Sequence, residues 1–444
     1  MDVVRPIDTK GALKSLSLVL GSEFRVENYE IEAGEDASWQ LGNGGDVPGV
    51  DFDTTSSGAP KNPGSQVFPG FQPDNEINRF RNSISAYAGF ESQITDQFLI
   101  DVGGRYENYS DFGSRVSGKL ATRVELHEDF AFRGAVSTGF RAPSLHQIWF
   151  NNVSIQFVID PATGELEPSR VLTGNNRSAV TKAFGIPDLE EETSVNISAG
   201  FTATPIPNLS ITADFYRITI DDRIVLSSRF TDGDPTVAAI LAPFSRQGVG
   251  AAQFFTNAVD TRTTGVDVVV AYRTQLGDGR LTLTGSANIT DTEVEKVKVP
   301  SSLLTGFEET IFNREEKNRL EDALPRQKGT VSARYDIDRF SVTGRANYYG
   351  KVEYKPTNLL NDETFDAKTL VDLELSYELI RGLRLAVGGI NIFNTFPDEH
   401  GTSEERAALG LNSNRSDGRF VYSRRVTQFG MNGGFYYTRV SLDL

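Results

Sequence analysis

Apolar and polar residues alternate along most of this chain. Phe98, Ile100, Val102 and Tyr106 fall on one face of an extended segment, while Asp101, Arg105 and Glu107 fall on the other. Val116, Leu120, Val124 and Leu126 alternate in the same way with Ser117, Lys119, Arg123 and Glu125. The pattern returns in Leu281, Leu283, Ala287 and Ile289, and in Val371, Leu373, Leu375 and Tyr377. A period of two over about ten residues predicts a strand with one apolar and one polar face. About 14 strands are predicted, over 13–32, 79–95, 97–110, 114–126, 129–141, 191–204, 208–225, 254–275, 279–296, 326–337, 339–355, 366–380, 382–393 and 433–444. No long stretch carries a helical period. One strand departs from the pattern. Ile211, Ala213 and Phe215 share a face, but Ile218 and Ile220 lie on the other. This predicts a bulge near Tyr216 or a strand end raised above a membrane.

The connections sort into two kinds. After every second strand the link is a tight turn, as at Thr95-Asp96, Gly277-Asp278-Gly279 and Arg381-Gly382. Most of the others are long: 33–78, 142–190, 226–253, 297–325 and 394–432. Loops beyond about 15 residues are uncommon in compact domains and usually functional. Short turns at one end and long loops at the other predict an antiparallel transmembrane β-barrel of the outer membrane, with the turns in the periplasm and the loops outside. Both chain ends are then expected on the periplasmic side. A soluble sandwich would need shorter strands, and a propeller would need a repeat that is absent here.

Bulk properties agree. Mean hydropathy is -0.31, and no apolar run approaches the roughly 18 residues of a membrane helix. A barrel keeps its mean hydropathy low because lumen-facing residues are polar. The net charge of -16, from 60 acidic and 44 basic residues, excludes the basic footprint of a nucleic-acid partner. There are no cysteines, hence no disulfides and no thiolate metal sites. Residues 1–6, Met-Asp-Val-Val-Arg-Pro, do not form a signal peptide.

The last segment, Phe435 to Leu444, puts Tyr436, Val440, Leu442 and Leu444 on one face. It resembles the terminal strand that the outer-membrane barrel assembly machinery reads, with Leu444 where an aromatic residue is usual. Other segments resemble TonB-dependent receptors. Ser137-Thr138-Gly139-Phe140-Arg141-Ala142-Pro143-Ser144-Leu145 is similar to that family's GFRAPS segment. Leu189 to Asn196, Asp214 to Ile218, Asp221 to Ile224, Asn257-Ala258 with Thr264 to Asp267, Asn391 to Asn394 and Gly433 to Tyr437 resemble further family segments in the same order. Residues 1–136 match less sharply. The resemblance implies a barrel of about 22 strands filled by an N-terminal plug. On that reading 1–444 is a partial outer-membrane barrel domain without plug or signal peptide, and contact with the TonB complex runs only through the missing plug.

Chemistry for catalysis is not evident, and the chain does not read as an enzyme. There is no HExxH, phosphate loop or GxSxG elbow. The histidines, His127, His146 and His400, fall in separate links, and no metal site or cofactor is expected. Gly42 to Gly45 reads as loop, and Asp46, Asp51 and Asp53 lack the spacing of an EF-hand. Arg105, Arg123, Arg133 and Arg345 are expected to line the lumen in ion pairs, and Arg141 to be held by carboxylates at a strand end. Trp149 and Phe150 open the 142–190 loop and are the candidate ligand-binding residues. They either stack on a ligand or serve loop packing or an interfacial aromatic belt. The leading functional reading is active uptake of a scarce nutrient, such as a ferric siderophore, cobalamin or a saccharide, captured at the extracellular loops. The alternative is a passive porin-like channel. The expected surroundings are the lipid bilayer of the outer membrane.

Overall fold

The computed structural model describes residues 2–7, 13–39, 69–159, 166–247, 250–415 and 420–442. Twenty strands form: β1 Asp2–Ile7, β2 Ser15–Ile31, β3 Ile77–Gln93, β4 Phe98–Tyr109, β5 Gly113–His127, β6 Phe130–Arg141, β7 Asn152–Ile159, β8 Leu166–Gly174, β9 Glu192–Ala203, β10 Leu209–Leu226, β11 Phe230–Thr231, β12 Ala251–Leu276, β13 Gly279–Val297, β14 Gln327–Ile337, β15 Phe340–Tyr349, β16 Val352–Tyr354, β17 Glu363–Phe365, β18 Lys368–Ile380, β19 Leu383–Ile390 and β20 Phe435–Leu442. A strand lies within each predicted segment. The long strands pair antiparallel in the order β1, β2, β3, β4, β5, β6, β9, β10, β12, β13, β14, β15, β18, β19, β20. No described helix is long and apolar enough to cross a membrane.

The register gives the sheet two different faces. Tyr87 stands opposite Gly21 and Arg105, and Arg105 opposite Ser117, so these four share one side. That side is the polar one. It carries ion pairs of Arg105 with Glu23 and Glu107, Lys119 with Asp101, Arg133 with Asp214 and Arg439 with Glu374. The other side carries Phe24, Phe80, Val116, Val331 and Val440, each more than 60% exposed. Apolar side chains in that number on the outside of a sheet need lipid, not water, against them.

The tight turns fall where the sequence puts them. Asn208, Gly277, Asp338 and Gly382 adopt positive φ of 66°, 57°, 50° and 82°, a conformation that Gly and Asn accept most readily. Three expectations change. The strand β10 keeps an unbroken register with β9 through Tyr216, and its irregularity lies between Ile220 and Ile224, around Asp222 at φ 58°. The apolar Ile218 and Ile220 therefore face the polar side without a bulge at Tyr216. The segment 339–355 is not one strand, since β15 stops at Tyr349 and β16 pairs separately with β17. Finally, β1 runs antiparallel along β2 with Asp2 opposite Gly21. Its first residue thus lies partway up the wall, not at the turn end as expected.

Where they are described, the long links carry structure of their own. They hold β7, β8, β11, β16, β17 and short helices, the longest Arg314–Glu321. Here, rather than in the wall, sits the main core. Phe184, Phe230 and Phe254 pack with ring centroids 5.2–5.3 Å apart. Leu172, Val180, Ile186, Val237, Leu304 and Ile311 surround them. The wall has no such core because its apolar side chains point outwards and its inner face is polar.

Candidate functional site

The loop end of the lumen gathers aromatic and cationic side chains from several elements. Tyr29 comes from the end of β2 and Arg79 and Arg81 from the start of β3. After β6 the chain passes Ala142-Pro143 into the helix Leu145–Trp149. Ser144 caps that helix, its Oγ accepting from the Gln147 backbone N–H at 3.1 Å while Gln147 Oε1 accepts from the Ser144 N–H at 2.9 Å. This reciprocal cap satisfies two donors that a helix start leaves open, and it fixes where the following aromatic residues point.

Two guanidinium groups lie close to the Trp149 ring. Arg79 and Arg177 each lie 5.0 Å from its ring, within cation–π range. Phe150 stacks on His146 at 4.7 Å and meets Phe71 edge-on at 6.2 Å. His146 also meets Tyr29 and Phe255 edge-on at 5.9 and 5.8 Å. Burial holds the His146 imidazole below its ordinary value, so at neutral pH it is an uncharged ring within an aromatic cluster. Ile148, Leu189 and Ile224 form the floor against which Trp149 and Phe255 pack.

Arg81 ties this cluster to the wall. It is 5% exposed, donates to Glu27 Oε2 at 2.8 and 2.9 Å and to the Pro143 carbonyl at 2.6 Å, and has Asp111 at 3.6 Å. A buried cation must be paired to be tolerated, and here its pairing fastens the entry to the helix. Arg141 meets Glu192 at 3.6 Å, as expected of a cation at a strand end.

Of the residues singled out in sequence, Trp149, Phe150 and His146 come together. His127 and His400 lie elsewhere. His127, Glu128 and Asp129 share an exposed turn where their ligand atoms lie within 4.8 Å. His400 is buried against Glu363. Gly42 to Gly45, Asp46, Asp51 and Asp53 lie outside the described residues. Sequence reading missed Tyr29, Phe71, Arg79, Arg177 and Phe255, because their relation to Trp149 spans up to 120 positions of chain. The one local hint was parity, since Tyr29 and Arg79 stand opposite each other in β2 and β3 on the polar face.

Residues 10–392 match the family described as TonB dependent receptor-like, β-barrel. The chain belongs to this family. With it the ends of the wall are oriented, the short turns periplasmic and the long loops extracellular, in the outer membrane. The chain is 31% identical over 122 residues to the "Iron-regulated outer membrane virulence protein" of Vibrio cholerae, covering 27% of this chain and 15% of that protein. It is 28% identical over 161 residues to the "Probable TonB-dependent siderophore receptor PirA" of Acinetobacter baumannii, covering 35% of this chain and 19% of that protein. The crystal structure of that PirA superposes with a TM-score of 0.61 at 16% identity, over 99% of this chain and 53% of the other. The Pseudomonas aeruginosa ferric enterobactin receptor superposes with a TM-score of 0.60 at 15% identity, over 99% and 53%. The chain thus spans about half the length of these solved structures, and they share its fold.

Proposed function

We propose that this chain supplies the barrel wall and extracellular loops of a TonB-dependent receptor that takes up a ferric siderophore. Trp149 and Phe150 are its ligand-facing aromatics. The observation that carries the reading is the placement of Trp149 beside both Arg79 and Arg177 at the extracellular end of the lumen. Aromatic side chains with cations close beside them suit a ligand that is both aromatic and negatively charged. The names of the relatives, an iron-regulated protein and siderophore receptors, support the same class. The capping of the helix and the anchoring by Arg81 support it further, because a binding surface gains affinity when its side chains are fixed beforehand.

The test is iron uptake by cells whose receptor carries this chain, grown under iron limitation with a radiolabelled ferric siderophore. Trp149→Ala with Phe150→Ala should weaken ligand binding by about tenfold, which corresponds to roughly 1.4 kcal/mol. Unchanged binding in a folded double variant would remove these residues from the site. A large steady ion current from the receptor in planar bilayers would favour a passive channel instead.

A further inference from the structure

The strand β10 runs from the floor of the aromatic mouth down the lumen wall. Ile224, near its extracellular end, forms that floor with Ile148 and Leu189. Below the irregularity at Asp222, Ile220, Ile218 and Tyr216 follow on the lumen face, the side shared with Asp214 and its partner Arg133. Four residue steps of about 3.3 Å give these three side chains a run of about 13 Å. Both isoleucines are partly exposed. Apolar side chains on a polar lumen face are exceptions in this wall, and a row of them is informative where a lone one is not.

The wall on either side of the run is uncharged. Ile220 stands opposite Ser194 and Thr261, and Ile218 opposite Asn196 and Thr263. One strand further out come Gly139 and Ser137 of β6 and Val294 and Thr292 of β13. The polar groups here largely engage one another: Asn196 donates to Ser137 at 3.4 Å, Thr263 meets Thr292 at 2.9 Å and Tyr216 donates to Thr290 at 3.2 Å. Elsewhere the same face is charged, with Arg105, Glu107 and Lys119 on one flank and Arg345, Asp372 and Glu374 on the other. The carboxylates at the head of the run are held by cations. Asp222 and Asp260 meet Lys298 at 2.7 and 2.6 Å, and Glu192 meets Arg141 at 3.6 Å. A further cation, Arg223, donates to Thr261 at 3.3 Å. A bare carboxylate repels a passing anion, and free hydrogen-bonding groups hold back a ligand that must move on. This stretch keeps both to a minimum.

We propose that a ligand captured at the mouth passes into the lumen along β10, with Ile220, Ile218 and Tyr216 as its successive contacts. The inference rests on the reading of Trp149 and Phe150 as the capture site for an aromatic, negatively charged iron chelate. The apolar rungs take its rings, the uncharged flanks spare its charge, and the cations at the head favour its entry.

The test uses the complete receptor that carries this chain, in cells, with radiolabelled iron as its tris-catecholate, an aromatic anion. Binding is read on de-energised cells and uptake on energised ones. Ile218→Ser with Ile220→Ser, and separately Ile218→Glu, should leave binding within about twofold and slow uptake by about fivefold or more, as substitutions on a lumen face act on passage. Retained binding reports that each variant is folded and in place. Ser332→Glu, on the lumen face of β14 outside the run, should leave both readouts unchanged. Unchanged uptake in the isoleucine variants, or an equal loss with Ser332→Glu, would overturn the path while the capture site stands. Binding lost in step with uptake would overturn it as well, by placing the isoleucines in the capture site. Slowed uptake with a steady ion leak in planar bilayers would do the same, by showing that they seat a domain inside the barrel. No binding of the chelate by the unsubstituted receptor would refute the capture reading itself, and the path with it.

Discussion

At the scale of single residues, tyrosines lie flat over glycines on neighbouring strands. Tyr87 stands opposite Gly21, Tyr216 opposite Gly265 and Tyr437 opposite Gly388, all on the lumen face. A Cβ added at these glycines would come within 2.1, 2.3 and 2.6 Å of the tyrosine ring or hydroxyl. Glycine is needed there for space, not for backbone freedom. The ring covers backbone that glycine leaves bare, and the hydroxyl reaches onward, from Tyr216 to Thr290 at 3.2 Å and from Tyr437 to Glu374 at 2.6 Å. Gly285 lies in the same sheet with nothing within 4 Å of an added Cβ. Gly265→Val should therefore lower barrel stability by about 1–3 kcal/mol, while Gly285→Val is neutral or stabilising. Urea unfolding of the two variants in lipid vesicles measures the difference, and equal effects would refute the close-packing account.

At the scale of elements, the extracellular links are held by charge as much as by apolar packing. Glu353, on β16, is pulled down to about 2 from an ordinary 4.5 by hydrogen bonds from Lys355 and Lys351. Lys355 also reaches Asp322 at 2.6 Å, which joins the β13–β14 link to β16. For Glu363 burial acts to raise the value, but the bonds from His400, Asn414 and Gly401 outweigh it and leave it lowered. A lowered carboxylate contributes stability that is present above its unfolded value and is lost as pH falls through its folded value. The links should therefore keep their protection from proteolysis at neutral pH and lose it between pH 4.5 and about 2, with the wall still intact. Amide exchange across that range reads both parts separately. Simultaneous loss of wall and links would contradict independent fastening of the loops. The sequence announced these links only as long. Their strands are short and their core contacts distant, so no local period marks them.

At the scale of the whole molecule, the wall separates lipid from a polar lumen by residue parity alone. The absence of cysteines makes this directly measurable with single introduced thiols. Labels at Val116→Cys and Val331→Cys should be quenched by lipid-borne quenchers. Labels at Ser117→Cys and Ser332→Cys, one position away, should respond to water-soluble ones. The reverse pattern would mean that the faces are inverted.

The strands, their two faces and their tight turns were legible in the sequence because each depends on neighbours within a few residues. A strand between lipid and water must alternate, and a tight turn needs residues that accept positive φ. The candidate site was half legible. The GFRAPS-like segment and the aromatic pair Trp149-Phe150 are contiguous, so sequence shows them together. Only the tertiary structure decided that Arg79 and Arg177 come to Trp149, that Arg81 fastens Pro143, and that the principal core lies in the loops. Those contacts join residues tens of positions apart, and their partners are selected by register and loop closure, which no short-range pattern encodes.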